Sequence, residues 1–326
     1  MKVFVTGATG LVGSFVVREL IAKGHTPVLL HRKESSFALL QGVREQCEVV
    51  EGDILDISSL RMGIENCEAV IHCAGKISFD PKKEREMIQV NVKGTANVVN
   101  ACLQSGTKKL IYVSSIAALG RKAQQAELNE STQWVDSELN STYATTKYLA
   151  ELEVFRGGEE GLDFSIVNPS IVLGPGEATR SSTRIFEQVK KLPYCYPNGY
   201  LNIVDVRDVA VIICQLLKTA HKERLVLTSE QLSYKEFYSI VRRQLGITGP
   251  FLAIPRAGMY IIAFFEGIRS FFVQKEPIVT KENLRFLHKK FLYSSLFYTT
   301  LFPDAPFIKS EESIRWVLEG LSYEKK

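Results

Sequence analysis

Several features are scarce in this chain, and each scarcity removes a class of function. Its 326 residues hold six cysteines, Cys47, Cys67, Cys73, Cys102, Cys195 and Cys214. They are scattered without the paired spacing that holds zinc, so no metal site is expected. Most lie inside apolar runs, which points to reduced, buried thiols in a cytoplasmic protein rather than a disulfide framework. Charge of one sign is also scarce. Forty Lys and Arg against 36 Asp and Glu leave a formal net charge of +4, with no basic block and no basic stripe interleaved with aromatics. A nucleic-acid partner is therefore not expected. No tract is of low complexity. A strand pattern begins at Lys2, which leaves no room for a signal peptide. The most apolar stretch, Phe251 to Val273, is broken by Arg256, Glu266 and Arg269, which argues against a membrane-spanning helix.

What is present is an alternation of short apolar strands and amphipathic helices. The first unit runs from Val3-Phe-Val through the turn Thr6-Gly-Ala-Thr-Gly-Leu-Val-Gly13 into a helical stripe, Phe15, Val16 and Leu20. Glycines at 7, 10 and 13 permit a tight turn, close approach of backbone N–H groups to a pyrophosphate, and tight helix–strand packing. The second strand, Pro27 to His31, ends in Arg32-Lys33 with no carboxylate before Glu34. Arg pairs well with a 2′-phosphate, so NADP is favoured over NAD, with Arg32 as the contact; a solvated basic turn is the plain alternative. A third strand, Glu48 to Glu51, runs into Gly52-Asp53-Ile54, and a fourth, Ala69 to His72, into Cys73-Ala74-Gly75. Asp53 suits an adenine amino group, with Ile54 against the ring, or else caps the next helix. Met87 to Gln104 reads as a helix, Lys109 to Val113 as a strand ending in Ser114-Ser115, and Phe164 to Asn168 as another strand. Right-handed crossovers then give an α/β fold, a doubly wound parallel sheet of the Rossmann kind.

One further helix carries the stretch Tyr143-Ala-Thr-Thr-Lys147. Asn140 or Ser141 would cap it, Ala144, Tyr148, Leu152 and Phe155 recur at helical spacing, and Gly157-Gly158 would stop it. Tyr143 and Lys147 share a face, and an ammonium four residues away would lower the phenol's pKa toward neutrality. Alone, the pair is a common feature of helices.

Together these residues resemble the extended short-chain dehydrogenase/reductase family, of the NAD-dependent epimerase/dehydratase type. The likeness runs through Gly7-x-x-Gly10-x-x-Gly13, Gly52-Asp53, His72-Cys-Ala-Gly75, Asn91-Val-Lys-Gly-Thr95, Val113-Ser-Ser115, Tyr143-x-x-x-Lys147, Asn168-Pro169 and Val204-Asp-Val-Arg-Asp208, over roughly residues 1 to 212. Within the family it is most similar to dihydroflavonol-reductase-like and 3β-hydroxysteroid-dehydrogenase-like members. The resemblance implies Tyr143 as general acid/base, Lys147 as its modulator and ribose ligand, and Ser115 as the hydroxyl that holds the substrate oxygen. It implies cofactor contacts from Gly7, Thr9, Gly10, Leu11, Val12, Gly13, Cys73, Ala74 and Gly75, and from Pro169, Ser170 and Ile171 beside the nicotinamide. Asn91 is either part of that chemistry or a structural helix-to-strand hydrogen bond. No acidic pair follows Ser115, which argues against a 4,6-dehydratase.

Residues 1–175 are expected to form the cofactor domain, rejoined by 203–228, and 176–326 a smaller substrate domain. Ile77, Ser78 and Phe79 lie in position to meet a substrate. Met259, Ile262, Phe265, Ile268 and Phe272 recur on one face of a helix, expected to be buried over the cleft, with an exposed face for a membrane or partner as the alternative. The aromatic run Phe291 to Tyr298 suits a greasy substrate or a core. Homodimers of the family type would use about 87–104 and 143–155. The leading expectation is an NAD(P)-dependent interconversion of a small-molecule carbonyl and a secondary alcohol. A sugar epimerase and a non-catalytic cofactor sensor are the alternatives.

Overall fold

Short apolar strands separated by amphipathic helices bury both strand faces when the strands pair in parallel at the centre and the helices cover either side. The computed structural model describes residues 1–78, 80–122, 127–176, 183–220, 223–273 and 280–323. Its strands are β1 (Lys2–Thr6), β2 (Thr26–His31), β3 (Glu48–Glu51), β4 (Ala69–His72), β5 (Lys109–Val113), β6 (Glu127–Leu128), β7 (Phe164–Pro169), β8 (Ile171–Leu173), β9 (Cys195–Pro197), β10 (Tyr200–Asp205), β11 (Arg224–Leu227), β12 (Glu230–Ser233), β13 (Leu252–Ile254) and β14 (Leu292–Tyr293). Its α-helices are α1 (Leu11–Ala22), α2 (Ile57–Ile64), α3 (Glu84–Met87), α4 (Gly94–Ser105), α5 (Thr142–Glu159), α6 (Arg184–Lys191), α7 (Val206–Leu216), α8 (Tyr234–Gln244), α9 (Arg256–Val273), α10 (Lys281–Leu287), α11 (Tyr298–Leu301) and α12 (Ser310–Tyr323).

Seven strands form one parallel sheet in the order β11-β7-β5-β4-β1-β2-β3. The order reverses between β1 and β4, and in such a sheet ligands bind outside the strands' carboxyl ends at that point. Period-two alternation divides the core. Val3, Val5, Ile111 and Val113 pack with Val16, Leu20, Val209 and Ile213 of α1 and α7. Phe4, Leu110, Tyr112 and Ile166 pack with Ile64, Val98 and Val154 of α2, α4 and α5.

The chain leaves this sheet at one residue. β7 ends at Pro169 and β8 begins at Ile171, so Ser170 is the step into a second sheet of order β12-β10-β8. That sheet packs with α6, α8 and α12 through Phe186, Phe237, Val241 and Val317. Residues 203–205, expected to return to the first sheet, belong instead to β10, paired with β8 and β12. The return starts at α7, whose apolar side packs with α1, and ends in β11 at the sheet edge.

Two other expectations need correction. Gly157 and Gly158 lie inside α5 rather than stopping it. A Cβ at Gly157 would lie 2.5 Å from Val99 Cγ1 and one at Gly158 2.2 Å from Phe164 Cε1, so these glycines serve close packing. The face expected to be buried on α9 is divided. Met259 and Ala263 are buried against Leu284, whereas Phe265, Ile268 and Phe272 are 63%, 42% and 77% exposed. The helix is apolar on two sides, and α10 meets only one of them. Of the aromatic run after Lys290, Phe291 and Tyr293 are core material, joining Ile116, Leu119, Leu128 and Val226, whereas Leu292 and Leu296 are exposed.

Candidate active site

The cleft begins where β1 turns into α1. Gly7 has φ +68°, in the left-handed region, and a Cβ there would lie 2.5 Å from Ala74 N. Cys73, Ala74 and Gly75 at the end of β4 therefore pass directly over the turn. A Cβ at Gly13 would lie 2.2 Å from Gly7 O, so the first turn of α1 sits on the loop itself. The N-cap, Gly10, brings no side chain to the first-turn N–H groups of Leu11, Val12 and Gly13, an arrangement ready for a phosphate. Thr9, Leu11 and Val12 are partly open on its rim.

Behind the turn a buried polar chain ties three elements together. His72 Nδ1 lies 2.6 Å from Thr6 Oγ1, its Nε2 lies 3.0 Å from Thr95 Oγ1, and Thr6 Oγ1 also accepts from Ala74 N at 3.3 Å. Burial, reinforced by the nearby charge of Lys147, pushes the imidazole's pKa down to about 3. Burial also pushes the Cys73 thiol up to about 12, so Cys73 is no thiolate at neutral pH.

Helix α5 supplies the centre of the site. Ser141, rather than Asn140, caps it by accepting from Ala144 N at 3.1 Å. Its inward face is Ala144, Lys147, Ala150, Glu151 and Val154, while Leu152 turns outward. Lys147, only 3% exposed, donates to Tyr112 Oη at 2.7 Å and to Val113 O at 2.9 Å. Burial lowers its pKa to about 7, opposed by the charge of Glu151. Tyr143 stands at the cleft wall, partly open but densely surrounded, close to the Ser115 hydroxyl, which accepts from Ala117 N at 3.2 Å. The expected lowering of its pKa by Lys147 is not what the structure gives. Burial raises the phenol to about 12, and the Ser115 contact opposes that only in part, because the Lys147 ammonium is engaged by β5. Tyr143 is consequently a fully protonated donor at neutral pH.

Asn91 makes structural hydrogen bonds, to a loop and a helix rather than to the strand expected. It lies in a π-helical turn, Ile88–Lys93, between α3 and α4. Its Oδ1 accepts from Lys76 N at 2.7 Å, and its Nδ2 donates to Lys76 O and Thr146 Oγ1. It thus pins the loop after β4 to the residue beside Lys147. Gly75 is caught between them: a Cβ there would meet Asn91 Oδ1 at 3.5 Å and Lys147 Nζ at 3.8 Å.

Farther out, Asp53 does not cap α2. Asp56 does, accepting from Ser58 N and Ser59 N, while Asp53 Oδ1 accepts from Leu55 N at 2.8 Å in a turn at the end of β3. Ile54 is buried against Gly94. Arg32 is exposed and lies 3.5 Å from Glu34 across a solvated pair, which binds it weakly. Ile77 is exposed and Ser78 buried; Phe79 lies outside the described residues. The Val204–Asp208 motif is structural: Asp205 holds Arg207 bidentately and accepts from Ser313 of α12.

The sequence reading missed the clamp behind Ser115. Asn168 Nδ2 donates to Ser115 O at 3.0 Å and to Glu151 Oε1 at 2.6 Å, and Glu151 Oε2 pairs with Arg224 Nε at 2.6 Å. Glu151 follows Lys147 by four residues, so helical spacing alone places it on the same inward face. Three buried polar atoms at the ends of β7 and β11, Asn168 Oδ1, Ser170 Oγ and Thr228 Oγ1, have no hydrogen-bond partner among the described residues. Uncompensated groups of this kind carry a desolvation cost that a polar ligand can relieve. They adjoin Pro169 and Ile171, and with the glycine cradle they fit a dinucleotide lying across the sheet.

Such a cleft is that of the extended short-chain dehydrogenase/reductase class, enzymes that work with a nicotinamide dinucleotide. The model of the NAD dependent epimerase/dehydratase family matches residues 3–227, and the chain belongs to that family. A Synechocystis sp. protein provisionally named dihydroflavonol 4-reductase is 32% identical over 259 residues, 77% of this chain and 75% of that one. Sterol demethylase protein B of Methylococcus capsulatus is 30% identical over 293 residues, 88% of each chain. The crystal structure of gox2253 superposes with a TM-score of 0.83 at 28% identity, covering 99% of this chain and 98% of that chain. The protein is therefore an NAD(P)-dependent oxidoreductase acting on a small molecule.

Proposed function

We propose that the chain is an NADP-preferring reductase that interconverts a carbonyl and a secondary alcohol, with Tyr143 as proton donor. The observation that carries this reading is the buried Lys147, held by Tyr112 Oη and Val113 O one helical turn from Tyr143, with Ser115 nearby at the carboxyl end of β5. A bound nicotinamide dinucleotide supplies the hydride. The chain's own residues do the rest. The first turn of α1 and Gly7 to Gly13 hold the pyrophosphate, Asp53 and Ile54 face the adenine, and Arg32 pairs with the 2′-phosphate. Pro169, Ser170 and Ile171 border the nicotinamide, with the orphaned Ser170 hydroxyl directed to a polar group there. Ser115 Oγ donates to the carbonyl oxygen as negative charge develops on it, and Tyr143 Oη delivers the proton. Lys147, buried beside the ribose position and held by Tyr112 Oη and Val113 O, binds the ribose hydroxyls. The relative named as a reductase supports this direction.

In this reading the large sheet with residues up to about 175 is the cofactor domain, and the part built on β8, β10 and β12 shapes the substrate site. The exposed Ile88, Leu149 and Leu152 on the outer faces of the π-helical turn and α5 suit a homodimer, and the protein acts in the cytoplasm. The test is net oxidation of NADPH and of NADH with a panel of aldehydes and ketones. Turnover with NADPH preferred, and a preference for NADPH that falls roughly tenfold or more in Arg32→Glu, is expected. Tightly retained NAD with no net consumption of added cofactor would identify an epimerase instead, and binding without turnover a sensor.

A further inference from the structure

We propose that α9 docks this protein flat on an anionic lipid bilayer. Ile261, Phe264, Phe265, Ile268 and Phe272 are 59%, 60%, 63%, 42% and 77% exposed. At about 100° per residue they fall within an arc of roughly 100°. Met259 and Ala263, the residues that anchor the helix to Leu284 of α10, lie on the opposite side. The helix thus has one apolar face inside the protein and a second, aromatic one outside. Single exposed apolar residues are ordinary, but a contiguous aromatic stripe marks an interaction surface.

The charge around the stripe selects the occupant. Residues 251–293 hold seven Lys and Arg and three Asp and Glu, so this segment carries the whole formal excess of +4 and the rest of the chain is balanced. Arg256 stands exposed at the start of α9, and Arg285 and Lys290 stand exposed on and just beyond α10. A second copy of the chain meeting this face across a two-fold axis would set two such positive segments against each other. Anionic headgroups would neutralise them while the acyl boundary takes the aromatic rings. No helix among the described residues is long and apolar enough to cross a membrane, and Glu266 and Arg269, paired at 2.8 Å on the flank of α9, keep the helix at the interface. This docking stands independently of the reaction.

The test is co-sedimentation of the full chain with vesicles of phosphatidylcholine alone and of phosphatidylcholine mixed with phosphatidylglycerol. Binding is expected to the mixed vesicles only, weakened by salt. Replacing Phe264, Phe265 and Phe272 together by Ser should reduce it roughly tenfold or more with little change in unfolding temperature, because the three side chains are already mostly exposed. Arg285→Glu with Lys290→Glu should weaken it as well. Absence of the wild type from the mixed-vesicle pellet, or equal binding by the triple-Ser variant, overturns the proposal. So does a dimer in sedimentation velocity that the triple-Ser variant dissociates, since the stripe would then be covered by a second copy.

Discussion

Replacing Glu151 by Ala tests how the site is held together. The Glu151 carboxylate is fully buried, with one oxygen 2.6 Å from Arg224 Nε and the other 2.6 Å from Asn168 Nδ2. Its removal deprives a guanidinium that is only 13% exposed of its carboxylate and leaves Asn168 Nδ2 bonded to Ser115 O. Breaking a buried pair from one side costs about 3–5 kcal/mol, because the remaining charge keeps its desolvation penalty. Against a total stability of about 5–15 kcal/mol for a domain, that is a large share. Urea unfolding followed by tryptophan fluorescence reads it, and Trp134, stacked on Tyr148 of α5 at 4.4 Å, reports on this helix. A second consequence separates charge from packing. Glu151 holds the Lys147 pKa up against burial, so its loss lowers that pKa further below about 7, and the pH limb of turnover set by Lys147 moves to lower pH. Changing Glu151 and Arg224 both to Met should recover much of the stability without restoring the pH limb. A loss under about 1 kcal/mol in Glu151→Ala, with an unmoved pH profile, would refute the clamp.

Two further outcomes follow from the same geometry. Gly158→Ala should destabilise by about 1–3 kcal/mol, since the new methyl meets the Phe164 ring and overpacking outweighs the ~1 kcal/mol gain in helix propensity; a stabilised variant in urea unfolding would contradict the packing described. His72 has a folded pKa of about 3, below the ordinary 6.5, so the native state favours the neutral ring. Its stabilising contribution is full above pH 6.5 and is lost as pH falls from 6.5 toward 3, by up to about 1.4 kcal/mol per pH unit. Nitrogen chemical shifts of the imidazole should show it neutral at pH 5, and titration near 6.5 would refute its burial between Thr6 and Thr95.

The parts of this architecture legible in the sequence were those fixed by local chemistry. The glycine turn, the strands of the large sheet and the Tyr143–Lys147 spacing are each set within a few residues, and all lie where the pattern puts them. What escaped depends on contacts across the chain. Whether Gly157 and Gly158 end a helix or lie within it is decided by Val99 and Phe164, far away in sequence. The two apolar sides of α9 are indistinguishable by periodicity until α10 covers one of them. Lys147 was expected to act on its helical neighbour, but β5, some 35 residues earlier, supplies its partner at Tyr112. Nothing local reveals that Asn168 and Arg224 converge on Glu151.

The central claim is that Tyr143 delivers the proton. In Tyr143→Phe the ring that lines the cleft is kept and only the hydroxyl beside Ser115 is lost. Steady-state turnover, measured with NADPH affinity by fluorescence titration on the same preparation, should fall by roughly 10²–10⁴-fold, the usual worth of general acid catalysis, while cofactor affinity stays within a few-fold of the wild type. Turnover close to that of the wild type would contradict the account.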